Sequence, residues 1–343
     1  MEKIRLTQYS HGAGCGCKIS PAVLDSILHS EVSKGHFPFL LVGNETRDDA
    51  AVYEMEDGNC IISTTDFFMP IVDDAQTFGA IASVNAISDV YAMGGEPVMA
   101  IAILGWPINT LSPSVAREVL DGSKKVCLQA GIPLAGGHSI DCPEPVFGLA
   151  VTGKVKKENL KRNDSAKDGS VLYLTKPLGI GIITTAQKKG IVNSDHFKAA
   201  VDSMTTLNSF GAELGNLSYV NALTDVTGFG LLGHLCELCE GSGLSAKIDF
   251  SRVPRFQFLR EYIDKKSFPG GTTRNWESYG HKVKVHTEFQ KLVLADPQTS
   301  GGLLISVDAD RTFEFENFCR RSGHELVAFG NLSERGENVI EVV

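Results

Sequence analysis

The stretch AAVYEMEDGNCIISTTD, residues 50–66, contains two strand-like runs joined by a turn. The Asp57-Gly58 pair between the runs is typical of a two-residue β-hairpin turn. Such a turn places Asp49 and Asp66 opposite each other at the open end of the hairpin. Opposed residues have Cβ atoms about 5 Å apart, and two carboxylates at that distance repel each other. The hairpin therefore predicts a divalent-cation site, and Asp48 adds a further charge. The alternative is that these aspartates are solvated turn formers.

A helix over 78–93, ended by Gly94-Gly95, is predicted downstream of the hairpin. Asp89 stands there among Ala, Ile, Val, Met and Tyr, and it shares one face with Asn85. A carboxylate in such a helix is costly to bury unless it is paired or bound to a metal. An exposed helix face is the alternative, since serines also occur in the helix. Asp225, in NALTDVTGFG, adds an acid at a predicted strand end, so the pattern favours a Mg²⁺-nucleotide site.

Strands and helices are mixed along the whole chain, which predicts α/β (α+β) domains. The hydrophilic stretch 156–169 predicts a linker. We therefore expect a glycine-rich N-terminal segment (1–45), one domain over 46–155 and a second over 156–343. The segment has few core-forming residues and is expected to be mobile. Farther along, a single helix is predicted over 195–214.

Composition excludes several classes of protein. The chain has 343 residues, 35 of them glycine, and a net charge of −9 from 32 basic and 41 acidic residues. A nucleic-acid-binding surface would need a basic face, so nucleic acid is not an expected partner. No apolar run reaches membrane-spanning length, and the N-terminus lacks the apolar core of a signal peptide. Eight scattered cysteines indicate reduced thiols and a cytoplasmic protein.

Candidate phosphate contacts come from two basic residues and two glycine loops. Lys18 offers a point charge and Arg47 a bidentate fork. The loops AGGHS (135–139) and KPLGIG (176–181) could present backbone N–H groups to a phosphate, or could be simple turns. Neither loop matches a Walker or Rossmann pattern.

Two pairs of cysteines invite a chemical interpretation. Cys15 and Cys17 lie beside Lys18, whose ammonium favours the thiolate, although C-x-C alone is a weak metal motif. Cys236 and Cys239 lie three residues apart in a predicted helix, where core or helix-surface cysteines are the favoured interpretation.

The chain carries a series of motifs: HGAGCGCK (11–18), GNETRDDAAVY (43–53), STTDFFMPIVD (63–73), NAISDVYAMGG (85–95), AILGWPIN (102–109), LAGGHSID (134–141), LTKPLGIG (174–181), TDVTGFGLLGH (224–234) and DPQTSGGLL (296–304). Together these motifs resemble those of the selenophosphate synthetases (selenide, water dikinases). The resemblance runs from about Leu6 to the C-terminus. The CGCK segment separates this family from related aminoimidazole ribonucleotide synthetases, thiamine-monophosphate kinases and hydrogenase-maturation dehydratases.

The resemblance implies that ATP, selenide and water are converted to selenophosphate, AMP and phosphate, with Mg²⁺ required and K⁺ suggested. It also implies the aminoimidazole ribonucleotide synthetase-like fold, in which N-terminal-domain strands form a barrel across a homodimer. A selenium-delivery protein is a further partner to expect. Cys15 and Lys18 are then the catalytic residues. The implied ATP contacts are Lys18, Thr46, Arg47, Asp48, Asp66, Asp89, Gly137, His138 and Ser139. The implied Mg²⁺ ligands are Asp49, Asp89 and Asp225.

Two other functions stay open at this point. Another ATP-using enzyme of the same fold, a purine-pathway ligase or a small-molecule kinase, would release ADP and would not need the CGCK segment. A non-enzymatic carrier would retain selenium or metal on Cys15 and Cys17 without consuming ATP.

Overall fold

The computed structural model describes residues 4–17, 19, 23, 26–27, 37–43 and 48–343. Among these residues, thirteen strands form two mixed sheets, one in each half of the chain, and helices accompany both. The predicted mixture of strands and helices is confirmed. No helix in the described ranges is long and apolar enough to cross a membrane.

The first sheet is mainly antiparallel, with one parallel pair at an edge. In spatial order its strands are β1 (Leu40–Val42), β2 (Ala51–Glu54), β3 (Asn59–Phe68), β6 (Val146–Lys156), β4 (Glu96–Trp106) and β5 (Leu134–Asp141). β4 and β5 form the parallel pair. The glycine stretch 135–139, predicted as a loop, is therefore part of an exposed edge strand.

The predicted hairpin forms, but its turn is one residue longer than expected. Met55 N donates to Asn59 O and Gly58 N donates to Met55 O, at 2.8 and 3.2 Å, which closes a three-residue loop. Gly58 has φ +78°, the left-handed residue that such a loop requires. Ala51 consequently pairs with Ser63, so the predicted pairing of Asp49 with Asp66 is wrong by one residue.

Two helices cover one face of this sheet. Helix α1 (Ala75–Ala92) is capped by Asp74, and α2 (Pro113–Gln129) begins after the Ser112 cap, as predicted. The helices touch through glycine: a Cβ at Gly79 would lie 1.8 Å from Val119 O. Glycine is needed at this crossing because any side chain would push the helices apart.

The opposite face of the first sheet is not covered by any of the residues that the structure describes. Large apolar side chains on it are 40–51% exposed: Tyr53, Ile61, Phe67, Met99 and Ile101. Their neighbours along the strands point toward the helices, as the two-residue period of a strand requires. The outer face is therefore apolar and open, and we call these five residues the outer face below.

The second sheet is built from the C-terminal half. In spatial order its strands are β10 (Val283–Lys284), β13 (Ile340–Val342), β9 (Leu244–Ile248), β12 (Gly330–Glu334), β7 (Val171–Leu174), β11 (Leu303–Val307) and β8 (Val220–Asp225). The helices of this half are α3 (Ile180–Lys188), α4 (Ser194–Met204), α5 (Phe210–Gly215), α6 (Gly230–Ser242), α7 (Leu259–Asp264), α8 (Gly270–Tyr279), α9 (Glu288–Leu294) and α10 (Thr312–Arg321). Short 3-10 helices span Leu6–Tyr9, Gly14–Cys17, Lys157–Asn159, Phe250–Arg252, Gly280–Lys282 and Ala309–Arg311.

Two predictions about local structure are corrected. The single helix over 195–214 is interrupted, because α4 ends at Met204 and α5 begins only at Phe210. The N-terminal segment also contributes to the core, since Leu6 is fully buried and Cys15 is 1% exposed. The sequence predicted few core residues in this segment because its glycines have no apolar side chains, although they allow the backbone to pack closely.

The two halves meet along α1. A Cβ at Gly211 of α5 would lie 2.2 Å from Tyr91 O, and one at Gly215 would lie 2.3 Å from Gly94 O. Ser88 of α1 donates to Asp225 at the end of β8. The polar side of α1 thus faces both sheets at their junction.

Candidate active site

Four aspartates come together where α1, β8 and the chain before β2 meet. We call Asp48, Asp49, Asp89 and Asp225 the carboxylate cluster. Asp89 and Asp225 are 8% and 2% exposed, so the exposed-face interpretation of Asp89 is wrong. Burial raises the pKa of Asp49 well above its usual range, and the charges of Asp225, Asp89 and Asp48 raise it further, in that order.

Neutral donors contact all four of these carboxylates, Asp225 through Ser88 of α1. Thr224 Oγ1 donates to Asp49 Oδ1 at 3.0 Å, and Asn163 N donates to Asp48 Oδ1 at 2.7 Å. Thr64 donates to Asp89. These hydrogen bonds orient the carboxylates but do not neutralise them. Arg162 Nε lies 3.9 Å from Asp48 Oδ2, an ion pair that offsets only part of the charge of the cluster.

A cation fits this donor set chemically. Asp49 Oδ2 is buried and has no hydrogen-bond partner among the described residues, and carboxylate oxygens are the ligands that Mg²⁺ prefers. In the described ranges, no three His, Cys, Asp or Glu side chains are already arranged to hold a metal ion. Mg²⁺ commonly keeps several waters and uses only one or two carboxylates with substrate phosphates, so a ready-made cage is not required.

Asp66 faces α1 rather than Asp49. Asn85 Nδ2 donates to its carboxylate, and the one-residue shift of the hairpin register accounts for the change of partner. Asp66 pairs across the sheet with Leu149 of β6. It therefore lies beside the carboxylate cluster, separated from it along α1 by one helical turn.

Cys15 is buried next to Asp66, with Asn85 between them. The Cys15 thiol donates to Asn85 Oδ1, with an Sγ to Oδ1 distance of 3.3 Å. Ser300 N donates to the same oxygen at 2.8 Å. The amide of Asn85 thus connects the thiol of the CGCK segment to the carboxylate of Asp66.

The loop Asp296–Gly302, which we call the platform loop, supports Cys15 from the C-terminal half. Thr299 Oγ1 accepts a hydrogen bond from Cys15 N at 3.0 Å. Sequence reasoning missed Asn85, Thr299 and Ser300 as site residues. The available signals were the four-residue spacing from Asn85 to Asp89 and the polar DPQTSGG run directly before a buried strand.

The hydrogen-bond donors of the KPLGIG loop are bonded to other parts of the protein. Lys176 Nζ donates to Thr206 O and Ser300 O at 2.7 and 3.0 Å. Gly179 N donates to Gln298 Oε1, and Gly181 N donates to Asp296 Oδ2. The prediction that this loop cradles phosphate is therefore not supported, because its donors already have partners.

The predicted ATP contacts on β5 lie away from the carboxylate cluster of the same chain. They are Gly137, His138 and Ser139. Gly137 aligns with Ala102, Leu149 and Asp66 in one row across four strands. Three strand spacings separate it from Asp66 by about 14 Å. Lys18, Thr46 and Arg47 lie outside the described residues.

The second cysteine pair and His234, which lies in the TDVTGFGLLGH motif, have structural roles. Cys236 and Cys239 are buried in α6, where burial raises both thiol pKa values, that of Cys239 to about 12. The core interpretation of this pair is confirmed. His234 is buried and its Nε2 accepts from Thr227 N at 3.1 Å.

Comparison with known proteins agrees with this architecture. Residues 47–155 match the family described as AIR synthase related protein, N-terminal domain, and residues 167–343 match the corresponding C-terminal domain. Among solved structures, thiamine-monophosphate kinase from Stenotrophomonas maltophilia aligns with a TM-score of 0.67 at 19% identity, covering 89% of this chain and 91% of that one. Hydrogenase maturation protein HypE in complex with ATP aligns with a TM-score of 0.64 at 18% identity, covering 90% and 87%. These likenesses show the fold.

Full-length relatives are much more similar. The selenide, water dikinase of Photorhabdus laumondii is 58% identical over 342 residues, which cover 99% of each chain. That of Pseudomonas putida is also 58% identical over 342 residues, covering 100% of this chain and 99% of its own. The chain therefore belongs to the selenide, water dikinase family, within the AIR synthase related proteins.

Proposed function

We propose that this chain is a selenide, water dikinase that converts ATP, selenide and water to selenophosphate, AMP and orthophosphate. The observation that carries the proposal is the contact of the Cys15 thiol with Asn85, which bonds Asp66 beside the carboxylate cluster. A thiol from the family's distinguishing segment thereby lies next to carboxylates suited to a Mg²⁺-nucleotide.

We carry the residue roles over from the resemblance, and the geometry supports them for Cys15 and for the carboxylates of the cluster. Asp49, Asp89 and Asp225 would hold Mg²⁺, and Cys15 and Lys18 would be catalytic. The ATP contacts would be Lys18, Thr46, Arg47, Asp48, Asp66, Asp89, Gly137, His138 and Ser139. Mg²⁺, when bound, would neutralise negative charge on the phosphates.

The chain's own contribution is positioning and exclusion of water. Transfer of a phosphoryl group depends mostly on held geometry and on cationic contacts, since charge spreads over the phosphate oxygens. Cys15 is 1% exposed, so the side of the site next to the thiol is dry. A dry site favours attack by selenide over attack by water at the first cleavage.

A homodimer is supported by the outer face of the first sheet. Contiguous apolar surface of this kind marks interaction sites in soluble proteins. The exposed edge strand β5 carries Gly137–Ser139 next to that face. A second copy covering the face, as in the barrel that the resemblance implies, would bring the Gly137–Ser139 backbone of one chain toward the ATP site of the other.

Replacing Ile101 with lysine tests the dimer. Ile101 is 45% exposed on β4, and a buried lysine there would oppose association. We expect Ile101→Lys to shift the species in analytical ultracentrifugation from dimer to the 36.9 kDa monomer. Leu128→Lys, on the exposed side of α2, is the matched control and should stay dimeric. A dimer that persists in Ile101→Lys would exclude the outer face as the interface.

Replacing Cys15 tests the activity. We expect Cys15→Ser to lower selenide-dependent AMP formation by at least about 100-fold, because a hydroxyl replaces the thiol that faces selenide. Lys18→Ala should have a similar effect. Cys127→Ser, a buried cysteine on α2, is the control that should remain active. Full activity of Cys15→Ser with free selenide would restrict the thiol to selenium delivery.

The alternatives give different products. ADP without a selenium compound would indicate another kinase of the same fold, and stoichiometric retention of selenium without ATP consumption would indicate a carrier. Use of K⁺ and a selenium-delivery protein stay predictions of the resemblance, and a cytoplasmic location stays a prediction from the cysteine content.

A further inference from the structure

We propose that Thr299 and Arg274 are positioning residues that dock the Cys15 segment on the C-terminal half and so set where the thiol lies. The docking itself is independent of the reaction, whereas its consequence for turnover rests on the proposed function. Neither residue need touch a substrate, because each acts through the backbone of the segment.

Thr299 fixes the segment from the side of the platform loop. Its Oγ1 accepts the hydrogen bond of Cys15 N at 3.0 Å, and the Thr299 residue is 2% exposed. Without this acceptor, Cys15 N would lose its buried hydrogen bond to the platform loop. Losing a buried hydrogen-bond partner costs roughly ten- to hundredfold in the population of the affected conformation.

Gly14 permits this close approach. Its φ of +52° is left-handed, and a Cβ on it would lie 2.4 Å from Thr299 Oγ1 and 2.5 Å from Ile71 Cδ1. The segment therefore lies between the platform loop and Ile71 with no room for a side chain. One of the glycines of HGAGCGCK thus has a packing role.

Arg274 fixes the segment from α8. Its Nη2 donates to Gly16 O at 2.9 Å. One turn earlier, a Cβ at Gly271 would lie 3.1 Å from Pro297 Cγ and 3.5 Å from Gly16 O. The cavity left between the segment and α8 is only about 10 Å³. The N–H of Cys15 and the carbonyl of Gly16 are thus both held by the C-terminal half.

The platform loop is rigid enough to serve as a dock. Gln298 Oε1 accepts from Gly179 N and Ile180 N at 3.1 and 3.2 Å. Lys176 Nζ donates to Ser300 O, and Asn208 Nδ2 donates to Gly301 O. Buried side chains therefore fix the loop on both sides of Thr299.

The rate at which Cys15 is alkylated measures the docking directly. The thiol is buried when docked, so iodoacetamide reaches it only when the segment leaves the dock. We expect Thr299→Val, which removes the acceptor but keeps the shape, to raise the Cys15 alkylation rate roughly tenfold or more without ATP or selenide. Thr299→Ser keeps the hydroxyl and should restore most of the protection. Fragment mass spectrometry assigns the label to Cys15.

Other cysteines report on general loosening. Cys127, Cys236 and Cys239 are buried elsewhere, and their alkylation rates should not change if the effect is local. Arg274→Met tests the second contact independently and should also accelerate labelling of Cys15. Arg260→Met removes an arginine that lies over Phe289 and is the matched control. Unchanged labelling of Cys15 in both Thr299→Val and Arg274→Met would overturn the proposal.

Turnover separates docking from the reaction. We expect Thr299→Val to lower kcat for selenide-dependent AMP formation, with Thr299→Ser recovering most of it. Faster labelling with unchanged kcat would show that the dock exists but does not position the thiol for turnover, which overturns the positioning role. Absence of the activity in the unmodified protein, with the labelling result intact, would contradict the proposed function alone.

Discussion

The carboxylate cluster and the platform loop each hold an aspartate with one buried oxygen that has no partner among the described residues, and they differ in the charge of its neighbours. Asp49 lies among three other carboxylates and keeps one oxygen without a hydrogen-bond partner in the described part of the chain. Asp296 is fully buried and likewise keeps one oxygen, Oδ1, without a partner among the described residues, but its Oδ2 accepts from Gly181 N and Gln298 Nε2 at 2.9 and 3.0 Å. Burial raises its pKa to about 8.

The difference teaches how to tell a ligand-binding carboxylate from a structural one. Only hydrogen-bond donors lower the pKa of Asp296, and burial raises it by more than they lower it. The carboxyl group can therefore keep its proton near neutral pH while it accepts from Gly181 N and fixes the start of α3. Asp49 is surrounded by like charges, and a divalent cation would relieve the repulsion of the whole group. A buried oxygen without a partner in the described ranges is common to both residues, whereas the charge of the neighbours differs.

The largest expected effect is on activity. We expect Asp49→Asn to lower selenide-dependent AMP formation by at least about 100-fold, since it removes a charged ligand from the reacting centre. Asp296→Asn keeps the acceptor for Gly181 N and should stay within about threefold of the unmodified rate. Initial rates of AMP release at saturating ATP measure both. Equal losses in the two variants would remove the distinction between the two regions.

The next effect is on stability in the presence of Mg²⁺. A ligand that binds only the folded state stabilises it by about 2.7 kcal/mol at a hundred times its Kd. We expect Mg²⁺ to raise the urea-unfolding free energy of the unmodified protein and of Asp296→Asn. Asp49→Asn should lose most of this increase, although without Mg²⁺ it should be at least as stable as the unmodified protein because one repulsive charge is gone. A full Mg²⁺ response in Asp49→Asn would contradict the assigned ligand set.

The smallest effect is a change in how stability depends on pH. The folded-state pKa of Asp296, about 8, lies above its unfolded value near 4. Between these values the folded state holds a proton that the unfolded chain has lost, so this group's contribution to stability falls as pH rises. The slope is at most about 1.4 kcal/mol per pH unit.

Asp296→Asn should therefore lose less stability than the unmodified protein between pH 6 and pH 8. Lys176 acts in the opposite direction, because burial lowers its pKa to about 7 and favours stability at higher pH. Lys176 is present in both proteins, so subtracting one pH profile of stability from the other leaves only the contribution of Asp296. Urea unfolding at both pH values, without Mg²⁺, gives the comparison, and parallel pH profiles would show that Asp296 is ionised throughout.

Local sequence predicted much of the fold. The start of α2 at Ser112-Pro113 and the burial of Cys236 and Cys239 follow from capping and helical spacing, which depend only on near neighbours. The hairpin was predicted but its register was not. A two-residue and a three-residue loop both use Asp-Gly, and the choice between them is made by packing of β3 on α1.

Local sequence indicated the charged residues of the candidate site and the Cys15 thiol. Asp89 and Asp225 stood out because a carboxylate in apolar sequence is costly. Thr299 and Asn85 did not, because a neutral polar residue acquires its role only from a partner far along the chain. Cys15 and Thr299 are 284 residues apart, and no local pattern predicts such a contact.

Phosphorus NMR of the protein incubated with ATP, selenide and Mg²⁺ tests the central claim most directly. The account predicts a selenophosphate resonance that grows together with equal amounts of AMP and orthophosphate as ATP is consumed. Omission of selenide should abolish the selenophosphate signal. Accumulation of ADP without selenophosphate, or selenium retained by the protein while ATP stays intact, would contradict the account.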